Sequence, residues 1–306
     1  MTEQQEEVAN KGKLNEENEL DSVCYALVQA RKKPLLVMYY PEDNGEIRSE
    51  DMKKLNEEFR KKSFKRDSNR IPELDVLIHT FGGFPDAGYM LGRIIREFGD
   101  DVNFLVPYHA TSAGTITCFS ANKISFGAHA YLSPIDLYFR GRRLLAIDGF
   151  IDFAVESRKR IELMFASSEQ LKHAKSDVEI RLLERFVNSF RDPMIIGEFF
   201  KTRSLTGYYA RVLLRDYMFS NNPKRSEISD SIVTNVLFNF PTHDFYLDYY
   251  LCKDLGLIVD TLTEDESDMA KHIVDVLESY ERRNVICKKI EEEDSYYRTS
   301  FIRLYV

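Results

Sequence analysis

LDVLIHTFGG, residues 74–83, is the stretch whose reading decides the fold: a largely apolar run that stops at a glycine pair. A run with so little polar alternation is the pattern of a strand covered on both faces, as in a parallel sheet between helices. The glycines break it. Beyond them Ala87, Met90, Leu91, Ile94, Ile95 and Phe98 recur at intervals of three and four, the spacing of a helix whose apolar stripe packs on a sheet. Upstream, PLLVMYY (34–40) reads as a strand, PEDNGE as a polar turn, and 49–62 as a helix with Met52, Leu55 and Phe59 on one face. Downstream, VNFLVP (102–107) is a third strand, 112–121 suits a buried helix, and KISF (123–126) returns as a strand. Strand and helix alternating at this density imply right-handed βαβ crossovers and a mainly parallel sheet, so the fold class is α/β.

Outside that core, 149–200 is rich in helix formers, with Phe153, Met164, Phe165, Leu171, Leu182, Leu183, Phe186 and Phe190. FNFPTHDFYLDYYLCKDLGLIVD (238–260) reads as a short strand, a turn, a helix and a strand. A charged amphipathic helix over 266–292, through Met269, Ile273, Val276, Leu277 and Tyr280, precedes a closing strand FIRLYV. The division expected is a charged, mobile N-terminus (1–22), a core (23–148), a helical insertion, lid or oligomer segment (149–230), a completion of the core (231–262) and a C-terminal helix and tail (263–306). No internal repeat and no glycine- or proline-rich linker separates them.

A chain of 306 residues with 43% hydrophobic content can bury a sizeable core, and its net charge of −8 argues against nucleic acid, which requires a concentrated cationic face. Basic clusters stand at Arg60–Arg66 and Arg140–Arg143; the first reads as a solvated helix end before Pro72. Cys24, Cys118, Cys252 and Cys287 show no CxxC spacing, so no zinc site or disulfide framework is implied and reduced thiols in a cytosol fit. The N-terminus has no apolar leader and no stretch nears the roughly 20 apolar residues of a membrane span, so a cytoplasmic protein is expected. Neither GxxxxGK[ST] nor GxGxxG occurs, so neither a nucleotide nor a metal cofactor is implied.

The glycine pair and the TSAGT segment (111–115) carry the chemistry. In acyl transfer a carbonyl oxygen that becomes negative needs fixed donors at about 3 Å. Backbone N–H groups serve only where no Cβ obstructs the approach, which suits Gly82 and Gly83 at the end of a buried strand. Ser112 follows the neighbouring strand and opens a helix, whose positive end favours a developing alkoxide, and the unpaired N–H of Ala113 offers a second donor. Each part has a plainer reading, a strand-to-helix turn for the glycines and an N-cap for Thr111 or Ser112. Together they would share the carboxyl edge of one sheet.

The series VLIHT, GG, VP, ATSAGT, NKISFG and SPID resembles the serine dehydrogenase proteinase family, of the Clp peptidase, signal peptide peptidase A and crotonase superfamily, over about 34–138 and 238–260. The resemblance implies a spiral of ββα units with helical additions, a Ser112 nucleophile, and an oxyanion and substrate-binding backbone from Gly82, Gly83, Ala113 and Gly114. THDFYLDYYLCKDLGLIV resembles the Clp peptidase segment in which an acidic residue precedes a helix and a Gly-Leu strand, which makes Asp244 the candidate orienting acid. The Clp-type histidine position falls near Asp136 or Leu137, where this chain has no histidine. The base therefore stays open among His243, His129, either oriented by Asp136, and a lysine such as Lys159, Lys172 or Lys175 with a pKa lowered by burial. His79, before the glycines, reads as a packed residue that places the strand. Phe81, where the family tends to have proline, and Leu137-Tyr138, where it tends to have Pro-Gln, depart from the pattern.

The activity implied is peptide-bond hydrolysis through a Ser112 acyl-enzyme, on a peptide or protein substrate, by a homo-oligomer packed through 149–200 and 266–292. Alternatives are a non-catalytic assembly module of the same fold and, with Arg140, Arg142 and Arg143 near a 3′-phosphate, an acyl-CoA enzyme.

Overall fold

Odd and even side chains along the central strands bury on opposite faces, and this alternation builds two cores. The computed structural model describes residues 18–42, 45–65, 68–135, 181, 194–291 and 300–306. Residues 1–136 with 206–306 form one compact unit and 137–205 another, whose described residues, Arg181 and 194–205, are helical. In the larger unit the chain runs α1 (18–31), β1 (Leu35–Tyr39), α2 (Ser49–Lys61), β2 (Ile71–His79), α3 (Pro85–Phe98), β3 (Gly99–Val106), β4 (His109–Ala110), α4 (Ala113–Cys118), β5 (Lys123–Phe126) and β6 (Tyr131–Leu132). Later come α5 (Met194–Leu213, which begins in the smaller unit), a π-helical turn (Leu214–Met218), α6 (Arg225–Phe238), β7 (Leu247–Asp248), α7 (Tyr249–Asp254), β8 (Val259–Thr261), α8 (Glu264–Glu291) and β9 (Phe301–Tyr305).

Six strands form one sheet in the order β8-β5-β3-β2-β1-β9, parallel throughout except for β9, which closes the edge antiparallel to β1. The protein is thus α/β with a mostly parallel sheet. On one face Leu36, Met38, Val76, Ile78, Val102 and Phe104 pack with Leu55 and Phe59 of α2 and Leu91 and Ile95 of α3. On the other, Leu35, Val37, Leu77 and Leu105 pack with Leu27 of α1 and with Ile273, Val274 and Leu277 of α8. That second face also buries charge: Asp75, 1% exposed, takes the Arg31 guanidinium at 2.5 Å and the Asn103 amide at 3.2 Å, and Arg31 reaches Glu266 at 2.8 Å. A second, three-stranded sheet has the order β4-β6-β7, β4 and β6 parallel and β6 and β7 antiparallel. The Thr80–Ala110 bridge joins its edge to the tip of β2.

Three differences from the sequence reading have local causes. The expected mobile leader through residue 22 is helical from residue 18, because Leu20 and Cys24, one turn apart, are drawn into the second core. The short strand expected at 238 is the end of α6, held by buried Ile232, Val233, Val236 and Leu237; the strand comes later, at β7. The helix expected to follow Asp244 begins only at Tyr249, where Asp248 is the cap and accepts the Leu251 N–H. Asp136, Lys159, Lys172, Lys175, the Arg140–Arg143 cluster and most of the 149–200 segment lie outside the described residues. Among the described residues no helix is long and apolar enough to cross a membrane.

Candidate active site

The tip of β2 and the segment after β4 lie in contact. Thr80 donates its N–H to the His109 carbonyl at 3.2 Å and accepts from the Thr111 N–H at 3.1 Å. The next turn brings Gly82 against Ser112: a Cβ added at Gly82 would stand 2.7 Å from the Ser112 Cβ, 2.9 Å from the Thr111 carbonyl oxygen and 3.4 Å from the Ala113 nitrogen. Gly114 meets the same tip, its missing Cβ replaced by the Thr80 methyl. Gly88 of α3 opens the matching space below, against the Ala113 carbonyl.

Ser112 itself sits at φ 52°, ψ −113°, a backbone conformation that an L-residue adopts only under strain of about 1–3 kcal/mol. Strain at a strand-to-helix serine is the geometry that holds a nucleophile's hydroxyl out from a sharp turn. The serine makes no side-chain capping hydrogen bond to α4, so capping does not account for it. Its hydroxyl accepts no hydrogen bond from the described residues and donates none to them, and the residue is half-buried rather than enclosed.

The amides around this serine divide into engaged and unpaired ones. Gly82 N–H donates to Thr80 Oγ1 at 2.9 Å, and Gly114 N–H donates to the Thr111 carbonyl at 2.8 Å. Both were candidate oxyanion donors, and both are occupied. Ile47 runs alongside the glycine turn, donating its N–H to the Gly82 carbonyl at 2.8 Å and accepting from the Phe84 N–H at 3.0 Å. In a trans peptide the C=O and N–H point opposite ways, so the Gly82 carbonyl's bond to Ile47 turns the Gly83 N–H away from Ile47. The Gly83 and Ala113 N–H groups have no hydrogen-bond partner among the described residues. The first follows Gly82, which touches Ser112, and the second opens the helix that Ser112 precedes.

A third segment arrives from the small sheet. Because β4 and β6 are parallel and β7 is antiparallel to β6, the exits of β4 and β6 and the entry of β7 share one end. That end carries Ser112, the Ser133-Pro134-Ile135 segment leading into Asp136, and the turn holding His243 and Asp244. The side chain that meets Ser112 there is Ser133, which the sequence reading passed over: its Oγ accepts the Ser112 N–H at 2.8 Å. Asp244 is exposed, and its charge, after burial and Tyr246, helps push the Tyr131 phenol up. His129 sits exposed in the turn before β6 at φ 63°.

Beside the site lies a row of rings drawn from separate segments of the chain. His79, 3% exposed, stacks on Tyr39 with centroids 5.7 Å apart and meets His109, 8% exposed, at 4.2 Å; His109 meets Phe81 at 4.2 Å and Tyr131 at 5.5 Å. Burial, with the neighbouring His109 second, pushes the His79 imidazole down to about 3, and burial pushes His109 down to about 4. His79 Nδ1 and His109 Nε2 have no hydrogen-bond partner among the described residues. Both rings are neutral packing groups at neutral pH, as expected of His79.

No family model matches the chain. A 63-residue segment is 32% identical to an uncharacterized protein of Methanocaldococcus jannaschii, and the match spans 21% of this chain and 22% of that protein.

Proposed function

We propose that this protein is a serine hydrolase of the Clp peptidase and signal peptide peptidase A type, cleaving peptide bonds through an acyl-enzyme on Ser112. One observation carries the reading: a strained serine that does not cap its helix, pressed against a glycine turn, with two amides beside it that are unpaired among the described residues. The small sheet bridged to the tip of β2 supports the ββα spiral of that superfamily. Three buried free thiols, Cys24, Cys118 and Cys252, fit a reducing cytoplasm.

In this reading Ser112 Oγ attacks the scissile carbonyl carbon while a base takes its proton. The carbonyl oxygen, now negative, is held by the Gly83 and Ala113 N–H groups, fixed before the reaction by Ile47 and by the start of α4. Collapse breaks the C–N bond, the base returns its proton to the leaving amine, and water attacks the ester by the reverse sequence. In this reading His243 serves as base and Asp244 as orienting acid, both in the turn that leads into β7; Asp136 and the three candidate lysines lie outside the described residues. A homo-oligomer goes with this reading.

The test is covalent labelling by a fluorophosphonate or a β-lactone. Labelling of the wild type that disappears in Ser112→Ala supports the proposal, and no labelling across pH 5 to 10 counts against it. A second reading, a non-catalytic member of the same fold, is favoured by the absence of any hydrogen bond from a described residue to the Ser112 hydroxyl. It requires Ser112→Ala to leave the cellular role intact.

A further inference from the structure

We propose that Ser133 is the positioning residue of the nucleophile turn, acting through the backbone of Ser112 and not on the reacting atoms. The inference rests on the hydrolase reading for its meaning but on separate geometry for its evidence. A serine at φ 52°, ψ −113° stays there only if its surroundings fix it. The peptide N–H that must be fixed is the one between Thr111 and Ser112, and its acceptor is Ser133 Oγ at 2.8 Å.

The acceptor is itself immobilised. Ser133 is 1% exposed and its hydroxyl proton goes to the Pro134 carbonyl at 3.0 Å, so its oxygen presents lone pairs to Ser112. Its backbone is tied to α4 through Thr115 Oγ1, which accepts the Ser133 N–H at 3.2 Å and lies within donating distance of both the Ala110 carbonyl at 2.9 Å and the Ser133 carbonyl at 3.0 Å. Thr115 has one hydroxyl proton, shared between those two acceptors. Ile135 then donates its N–H to the Val236 carbonyl at 3.1 Å, anchoring the same segment to α6. The turn that bears the nucleophile is therefore held from β6, the strand that leads toward Asp136. Ser133 Oγ bonds the Ser112 N–H and the Pro134 carbonyl and makes no hydrogen bond to the Ser112 hydroxyl, so its assigned role is to hold the backbone.

The experiment compares Ser133→Ala, Ser133→Thr and Ser120→Ala in the full chain. Ser120 is an equally buried hydroxyl past the end of α4 that bonds the Thr117 carbonyl and does not touch Ser112. Two readouts are taken: the rate and half-saturating concentration of fluorophosphonate labelling across pH, and hydrogen exchange at the Ser112 amide. Loss of one such hydrogen bond corresponds to a roughly three- to tenfold change. Ser133→Ala should slow the maximal labelling rate by that factor at unchanged half-saturation, with the pH midpoint unmoved, and speed Ser112 exchange by a similar factor. Ser133→Thr, which keeps the hydroxyl, should restore both, and Ser120→Ala should change neither. If Ser133→Ala does not fold, Ser133→Cys, with its weaker acceptor, replaces it under the same expectations. Wild-type labelling and exchange in the Ser133→Ala protein, equal effects from Ser120→Ala, or a shifted pH midpoint would each overturn the proposal. If the wild type is never labelled, the hydrolase reading fails, and exchange at the Ser112 amide alone decides the role of Ser133.

Discussion

Gly82→Ala is the substitution that most directly tests the contact between the two segments. Two costs add at this position. Gly82 has φ +105°, so alanine there incurs backbone strain of about 1–3 kcal/mol. The new methyl would also start 2.7 Å from the Ser112 Cβ and 2.9 Å from the Thr111 carbonyl oxygen, an overpacking worth about 1–3 kcal/mol more. Gly256 separates the two. It has φ +91° just after Leu255, the C-terminal cap of α7, where the Leu257 N–H donates to the Cys252 carbonyl and the Gly256 N–H to the Lys253 carbonyl, and an added Cβ meets nothing within 4 Å. Gly256→Ala therefore carries the strain alone, and urea unfolding of both variants should show Gly82→Ala less stable by about 1–3 kcal/mol. The same comparison reads the chemistry. Relieving the clash to ordinary contact moves Ser112 by several tenths of an ångström, and a misplacement approaching 1 Å costs up to about 100-fold in rate, so Ser112 labelling should collapse in Gly82→Ala and persist in Gly256→Ala. Equal stabilities in the two variants, with labelling retained in both, would refute the claim that Gly82 abuts the serine.

Three further outcomes follow from the same coordinates. Ser112→Gly should be more stable than Ser112→Ala by about 1 kcal/mol in equilibrium unfolding, because glycine relieves the strain at φ 52° and alanine keeps it; equal stabilities would mean the turn is not strained. His79 and His109 have folded pKa values of about 3 and about 4, below the ordinary 6.5, so the unfolded chain binds their protons first and stability falls as pH drops below 6.5. Two pH units at 1.36 kcal/mol each give a loss of roughly 2–3 kcal/mol per imidazole by pH 4.5, a slope that His109→Phe should reduce in urea titrations run across that range. Arg31→Met should destabilise the fold by about 3–5 kcal/mol, since it strips the cation from Asp75 at 1% exposure, and adding Asp75→Asn should recover part of the loss; thermal and urea unfolding of the pair decides it.

The strands and helices that the sequence made legible are the ones whose own residues enforce them. PLLVMYY, LDVLIHT, VNFLVP and KISF are apolar runs that water would penalise in any exposed state, and the stripes Leu55-Phe59 and Leu91-Ile95 select helices by spacing alone. The chain's helix over 264–291 and the closing strand at 301–305 were visible for the same reason. β4 and β6, two residues each and mixed in polarity, have no such signal, and they exist because Thr80 and each other supply their partners. Candidate residues followed the same division. Gly82, Gly83 and Ser112 stand out as residue types at the ends of strong runs, whereas Ser133 is an ordinary serine before a proline until the register of β6 against β4 sets it beside Ser112.

The sequence by itself determined a mostly parallel α/β core and the proximity in order of a glycine pair and a serine, because hydrophobic periodicity and the missing Cβ of glycine are local properties. Only the tertiary structure decided which amides stay unpaired, that the serine is bent to φ 52° without capping its helix, and that Ser133 holds its N–H. Each of those is a question of which groups from distant segments reach one another within 3 Å, and no segment carries that answer alone.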